Sequence, residues 1–596
     1  MDSPSTLTVA DAVRVVAVLV FVLVVLLSVG LALVFRRRYI AAVVRLQGHD
    51  EAARNEAQPP SVRSALQSAP TLRLVKEDLT DRSREVGATI LRLRRRLFAS
   101  QVACDVVFWA VCATLCLFGP GLAHLLWRAI LTADISGLRT WMALFSVFLD
   151  IGTSSTPAWG TVLFGVMYLL APPIVAGAAQ TAVRRKYVYL PVAGAAATWM
   201  AEIGRASWSS GMFGGAIALA VVIGLLGGAV VFLHDPRVRG AASPLIVALF
   251  IGITTWVIVA AGLDLYFGES SDDAPLTAAD ILSLAVFGLL VAGTAMGALL
   301  VVARVYQRKR LSDVQLAHLA FWLLTTLLAF AAGALNGSAS TSVGQVLEQV
   351  GLLSVWAFGI MGIRQRWRRS ILRGAPTRTG GLLVLRVFKR AAQSEEFLDR
   401  LLSFWRFAAP VDFIAGPDLA GATMEPDEFF GFIRGRLGDR FVRTPSQVDA
   451  VINGLDRERD PDGRFRVNEL FCTESTWRAA VAALMVQAGV VLLDLREYKA
   501  ERAGTRHEIY QLMNAVSVER IVVLIGDRDD SDAISSELCR AWDSMSESSP
   551  NRGLAHAELR LCCLRSGSAA EVEALFTRLY GPSLDAGHLQ TRWSTC

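Results

Sequence analysis

Asp494, Arg496, Gly504, Thr505, His507 and Glu508 fall within one stretch, residues 490–514, whose residue types and spacing suit ligand chemistry at a sheet edge. Residues 490–495 read as a buried strand with Asp494 and Arg496 at its carboxyl end. A polar loop follows, then a helix opening at Thr505. In open α/β sheets, ligands sit at the carboxyl ends of the strands and over helix N-termini. Asp494, Arg496, Gly504 and Glu508 are expected to converge there. A carboxylate such as Glu508, facing an oxocarbenium-like centre, is what cleavage of an N-glycosidic bond needs, as in glycoside hydrolysis. The same residues also have a purely structural reading. Thr505 as N-cap and Glu508 at N3 form a capping box that requires no substrate. His507 could shuttle a proton beside Glu508, or stand exposed in the first turn of the helix. Arg386, Arg496 and Arg506 suit phosphate groups, or a solvated surface. Trp477 reads as a core residue rather than a base-stacking platform.

A second cluster imitates a metal site. Glu458, Asp460, Asp462, Gly463 and Glu469 fall on the spacing of a calcium-binding EF loop. Its first position is Glu458, its fourth is Pro461 and its ninth is the cation Arg466, and a strand rather than a helix is expected after Gly463. Asp460-Pro461-Asp462-Gly463 is a turn signal in its own right, so a turn without metal is expected. The eight cysteines include no CxxC pair and no Cys/His cluster with zinc spacing. No metal or required cofactor is therefore assigned.

The elements that must position these residues begin after the linker 373–381. Strands are expected at 382–388, 411–415, 465–472, 490–495, 521–525 and 559–564. Helices are expected at 394–407, 425–436, 446–455, 475–487, from 505 onward, at 533–545 and at 569–579. This alternation predicts a cytosolic, doubly wound, mostly parallel α/β domain of the flavodoxin type over 382–596.

The chain before it reads differently. Of 596 residues, 53% are hydrophobic, and the mean hydropathy is +0.44. That composition predicts a multi-span α-helical membrane domain. Apolar runs near span length lie at 13–35, 103–127, 160–183, 213–233, 244–267, 281–305, 316–335 and 343–363. Arg36-Arg37-Arg38 and the basic run 364–369 both suit the cytoplasm, so the number of crossings must be odd with the N-terminus outside. The weakly apolar stretch 187–206 supplies the missing crossing, giving about nine spans in all. The expected division is an anchor helix at 1–40, a cytoplasmic amphipathic or linker segment at 41–100, and a polytopic domain at 101–372. Within 41–100, residues 72–97 carry apolar residues at roughly helical spacing among arginines, which suits a surface helix. Gly224/Gly228 and Gly293/Gly297 suggest close helix packing. The net charge of +6 sits in the membrane half and gives no nucleic-acid signal.

The tail resembles the Toll/interleukin-1 receptor (TIR) fold and the related nucleoside deoxyribosyltransferases. Asp494, followed by Gly504-Thr505-Arg506-His507-Glu508-Ile509, resembles their Asp and then Gly-x-x-x-Glu opening a helix. The resemblance implies Glu508 as the catalytic residue. It implies Asp494, Arg496, Gly504, Thr505 and His507 as ligand-binding residues. A nucleotide such as NAD is the implied substrate, and self-association into a homo-oligomer is implied as well. The whole layout resembles bacterial multi-pass inner-membrane proteins carrying such a tail, and a role in stress or defence signalling is the expectation for this chain. Two other functions fit the same sequence: a non-enzymatic signalling or assembly module, and a transporter or channel with a regulatory cytosolic domain.

Overall fold

The computed structural model describes residues 9–47, 71–79, 90–97, 99–100, 103, 238–267, 278–313, 315–317, 319–320, 323, 362–363, 365–373, 380–386, 392–415, 425–473, 475–527, 529, 531–554 and 556–581. They fall into two compact units.

The first unit comprises Met1–Arg36, Phe98–Ser370 and Met424–Asp427. Three long helices define its described part: α1 (Val9–Gln47, which continues into the second unit), α2 (Arg239–Phe267) and α3 (Ala278–Gln307). They contain the expected spans 13–35, 244–267 and 281–305. Among the described residues one stretch, Ala285–Gln307, is long and apolar enough to cross a membrane. The expected spans at 103–127, 160–183, 187–206 and 213–233 lie outside the described residues, as do most of 316–335 and 343–363. Helices α2 and α3 approach closely at Gly252, where a Cβ would stand 2.8 Å from the Ala295 Cβ. At the expected packing glycines Gly293 and Gly297 a Cβ would meet nothing within 4 Å among the described residues. Gly224 and Gly228 lie outside the described residues.

The second unit comprises Arg37–Leu97, Ile371–Thr423 and Glu428–Cys596. Its strands are β1 (Thr71–Asp78), β2 (Leu382–Arg386), β3 (Val411–Ala415), β4 (Phe441–Val442), β5 (Val467–Cys472), β6 (Val490–Asp494), β7 (Ile521–Gly526) and β8 (His556–Leu564). They form one sheet in the order β1-β8-β7-β6-β2-β3-β5-β4, and every pairing is parallel. The helices are α4 (Ala392–Trp405), α5 (Pro426–Ile433), α6 (Val448–Asn453), α7 (Trp477–Gln487), α8 (Ala503–Ala515), α9 (Ser531–Asp543) and α10 (Ala569–Tyr580).

The central strands LLVLR and VVLLD are buried throughout, as continuous apolar runs must be when both faces of a parallel sheet are covered. Side-chain alternation divides them between two cores. Leu383, Leu385, Val491, Leu493 and Val523 pack with Leu484 of α7, Ile509 of α8 and Leu538 of α9. Leu382, Val384, Val490, Leu492 and Val522 pack with Leu401 of α4 and Phe576 of α10 on the opposite face. This is the layering of a doubly wound domain. Omitting β1, β4 and β5, the remaining order β3-β2-β6-β7-β8 is the 2-1-3-4-5 arrangement of flavodoxin-like sheets. The winding reverses beside β2, between β3 on one side and β6 on the other, which makes the β2–β6 carboxyl edge the topological switch point.

The helix expected over 72–97 is corrected. Its first part is the edge strand β1, paired with β8 over its whole length, and helix occupies 90–97. The pattern TLRLVKED alternates around Leu72 and Leu74 while placing Arg73 and Lys76 at the edge, where charge discourages pairing with a foreign strand.

Candidate functional site

At the switch point, Arg386 ends β2 and Asp494 ends β6, and the two are register partners. Strand alternation directs both toward the α4 face, because Val384 and Leu492, two residues earlier, lie in that core. Asp494 is fully buried, and Arg496 reaches back to it through two parallel bonds. Arg496 Nε donates to Oδ1 at 3.0 Å, and an amino nitrogen of its guanidinium donates to Oδ2 at 2.8 Å. The Arg496 backbone N–H adds a third bond to Oδ1 at 3.2 Å. The guanidinium lies 4.8 Å from the ring centroid of Phe397 in α4. The next residue, Glu497, is in left-handed backbone at φ 61°, uncommon for a side chain of its type. Its N–H donates to Asp529 at 3.2 Å, which ties the ends of β6 and β7 together.

Helix α8 opens at Ala503, with Arg502 as an N-cap that makes no side-chain capping bond. Thr505 is therefore inside the helix, and the expected capping box of Thr505 and Glu508 does not form. Instead both turn inward and are buried, on the side where Ile509 and Leu512 enter the α7–α9 core. Among the described residues no hydrogen bond or nearby charge contributes to the shift of the Glu508 carboxyl. Burial alone pushes its pKa up to about 8, so at neutral pH it holds its proton.

His507 stands half-buried one residue before it. The Trp477 ring at the start of α7 meets His507 edge-on, with centroids 5.3 Å apart. A Cβ at Gly504 would lie 4.0 Å from the Trp477 ring, so the first turn of α8 borders the indole. Burial, and then the charge of Arg478, lowers the pKa of His507. Arg506 is exposed, donates to the Ala500 carbonyl at 2.6 Å and lies 3.6 Å from Glu537.

The expected convergence is thus divided into two groups. Asp494, Arg496 and Arg386 gather on the α4 face, whereas Gly504 and His507 border Trp477 at the start of α7, and Glu508, the next residue along α8, is buried. Sequence reasoning missed Trp477 as the neighbour of His507 and Phe397 as the platform under Arg496. Both are helix residues brought to the edge by crossovers, and no local spacing signals that contact.

In the EF-like stretch, two of the carboxylates are engaged by arginines. Asp462 takes Arg464 at 2.7 Å, and Asp460 takes Arg466 at 3.0 Å. Gly463 adopts φ 87° in the turn, and β5 follows. Among the described residues, no group of three or more acidic, histidine or cysteine side chains is placed to hold a metal.

No family model, no curated protein and no solved structure matches this chain.

Proposed function

We propose that the α/β domain binds a nucleotide such as NAD at the α7–α8 face of the sheet's carboxyl edge and cleaves its N-glycosidic bond, with Glu508 as the catalytic carboxyl. The observation that carries this reading is a buried carboxyl whose pKa is raised by burial alone, next in the chain to a histidine of lowered pKa that meets an indole. Perturbed groups of this kind cluster at functional sites. Burial favours the neutral form of Glu508. A cationic nicotinamide riboside unit would favour the ionised form, so that Glu508 loses its proton to solvent and the resulting carboxylate faces the ribosyl cation. The C1′–N bond then breaks with its electron pair leaving on nicotinamide. Water adds at C1′ and loses a proton to His507 or solvent. Asp494 and Arg496 serve this site by fixing the switch-point edge rather than by touching the reacting atoms. This domain would sit on the cytoplasmic side of a bacterial inner membrane, anchored by the apolar segments and clustered by self-association.

A second reading, a non-enzymatic assembly module, draws on one observation. Asp494 and Arg496 satisfy one another and leave no open fork for a phosphate.

The test is nicotinamide release from NAD by the full-length protein in detergent, with Glu508→Gln as control. Release that disappears in the variant supports the enzyme. No release from folded protein favours the assembly module, whereas release unchanged in the variant keeps the enzyme and removes Glu508 from its catalysis.

A further inference from the structure

Residues 37–97 and the α/β domain are more than 280 positions apart in the chain, yet they form one compact unit. Three contacts hold them. Tyr39, in the last part of α1, is buried and meets Phe432 of α5 edge-on, with ring centroids 6.0 Å apart. Strand β1 pairs with β8 from Thr71 opposite His556 to Asp78 opposite Cys563. Glu77 stands 3.0 Å from Arg578 of α10, and Leu79 is buried in the α4–α10 core. The helix at 90–97 then buries Ile90, Leu93 and Leu97 in that same core, with Arg94 4.3 Å from the Phe404 ring centroid. The three attachment points are far apart on the domain. Helix α5 lies between β3 and β4 in the chain, β8 is next to last at the other end of the sheet, and α4 covers one face.

We infer that residues 37–97 are a strap that fastens the N-terminal helix to the α/β domain, so that the chain between Leu97 and Ile371 leaves and re-enters on the same side of the membrane. The parity part of this inference rests on the membrane reading proposed above. Its argument is independent of flanking charges. A strand hydrogen-bonded to β8 cannot lie across a bilayer from it, so the intervening crossings must be even in number. The clear apolar runs after residue 97 number seven, so the strap by itself calls for one further crossing, which the weakly apolar stretch 187–206 would supply.

The test uses full-length protein in its own membranes. Arg73 and Glu558 are exposed register partners across β1 and β8. Arg73→Cys with Glu558→Cys is oxidised, and the linked peptides are identified by mass after digestion. The expected result is at least tenfold more of the 73–558 link in the double variant than in a co-expressed pair of tagged single variants. No link in the double variant, or a link that forms equally between single variants, overturns a strap belonging to its own chain. An impermeant maleimide, applied to intact spheroplasts and to inverted vesicles, should label both single variants from the same side. Labelling from opposite sides overturns the parity. Recovery of the protein in the soluble fraction would instead overturn the membrane reading, while the cross-link would still judge the strap.

Discussion

Arg496 grips Asp494 two residues back along the same strand end, with both carboxylate oxygens taken by the guanidinium at 3.0 and 2.8 Å. The pair is buried, and the guanidinium also lies against Phe397. Removing one partner leaves a charge in the interior, which costs about 3–5 kcal/mol, whereas removing both costs less than the sum. Arg496→Ala should therefore lower the unfolding midpoint of the α/β domain sharply, and Asp494→Ala combined with Arg496→Ala should recover part of the loss. Arg496→Lys keeps the charge but lacks the planar fork, so it should fall between wild type and Arg496→Ala. Denaturant titrations followed by tryptophan fluorescence would check the order, and additive losses would show that the pair is not coupled.

Glu508 makes an opposite prediction to the one its sequence suggests. As part of a capping box, its loss would destabilise the helix by about 0.5–2 kcal/mol. In the structure it caps nothing, and burial raises its pKa from 4.5 to about 8. The folded state then binds more protons than the unfolded state between those values, so its contribution to stability falls as pH rises from about 4.5 to about 8. Glu508→Gln removes that titration. It should be close to neutral in stability near pH 4.5, and stabilising at pH 8.5 by an amount on the order of a few kcal/mol. Thermal unfolding of both proteins at the two pH values decides it. Equal destabilisation at both would restore the capping role.

His507 titrates with the opposite sign. Its pKa is lowered by burial and by Arg478. Above the ordinary value of 6.5 both folded and unfolded chains hold it neutral, and the stability present there is lost as pH falls below 6.5 because only the unfolded chain protonates readily. Arg478→Ala takes away the second cause and should move the His507 titration back toward 6.5. Proton NMR of the imidazole would follow it. An unmoved midpoint would leave burial as the whole cause.

How far the sequence discloses this fold depends on how local each signal is. β3 lies at 411–415 as expected, and β6 and β7 differ by one residue at one end, because a buried parallel strand is a short apolar run bounded by polar residues. β1 is different. Its partner β8 lies almost five hundred positions away, and its alternation is short enough to pass for part of a helix. The N-cap of α8 lies at Arg502, three residues before the one the sequence favours, since Thr505 is a preferred cap and Arg502 is not. That small shift turns Thr505 and Glu508 from solvent into the core. The separation of Asp494 from Glu508 onto two faces follows from strand parity and helix placement together, and only the folded chain supplies the second.

The turn at Gly463 offers a test of the EF-like spacing. Gly463 has φ 87°, and a Cβ there would stand 2.8 Å from Leu372 Cδ2 and 3.0 Å from Leu97 Cδ1. Gly463→Ala meets both a left-handed backbone and two packed leucines, so a loss of about 1–2 kcal/mol or more is expected. Calcium should have no comparable effect. Asp462 and Asp460 are already held by Arg464 and Arg466 at 2.7 and 3.0 Å, and a divalent ion would have to displace buried guanidinium groups. The wild-type unfolding temperature should stay the same with millimolar calcium or with chelator, while Gly463→Ala lowers it in both. A calcium-dependent rise in the wild type would mean that the loop opens its ion pairs for the metal and that the spacing has been read too narrowly as a turn.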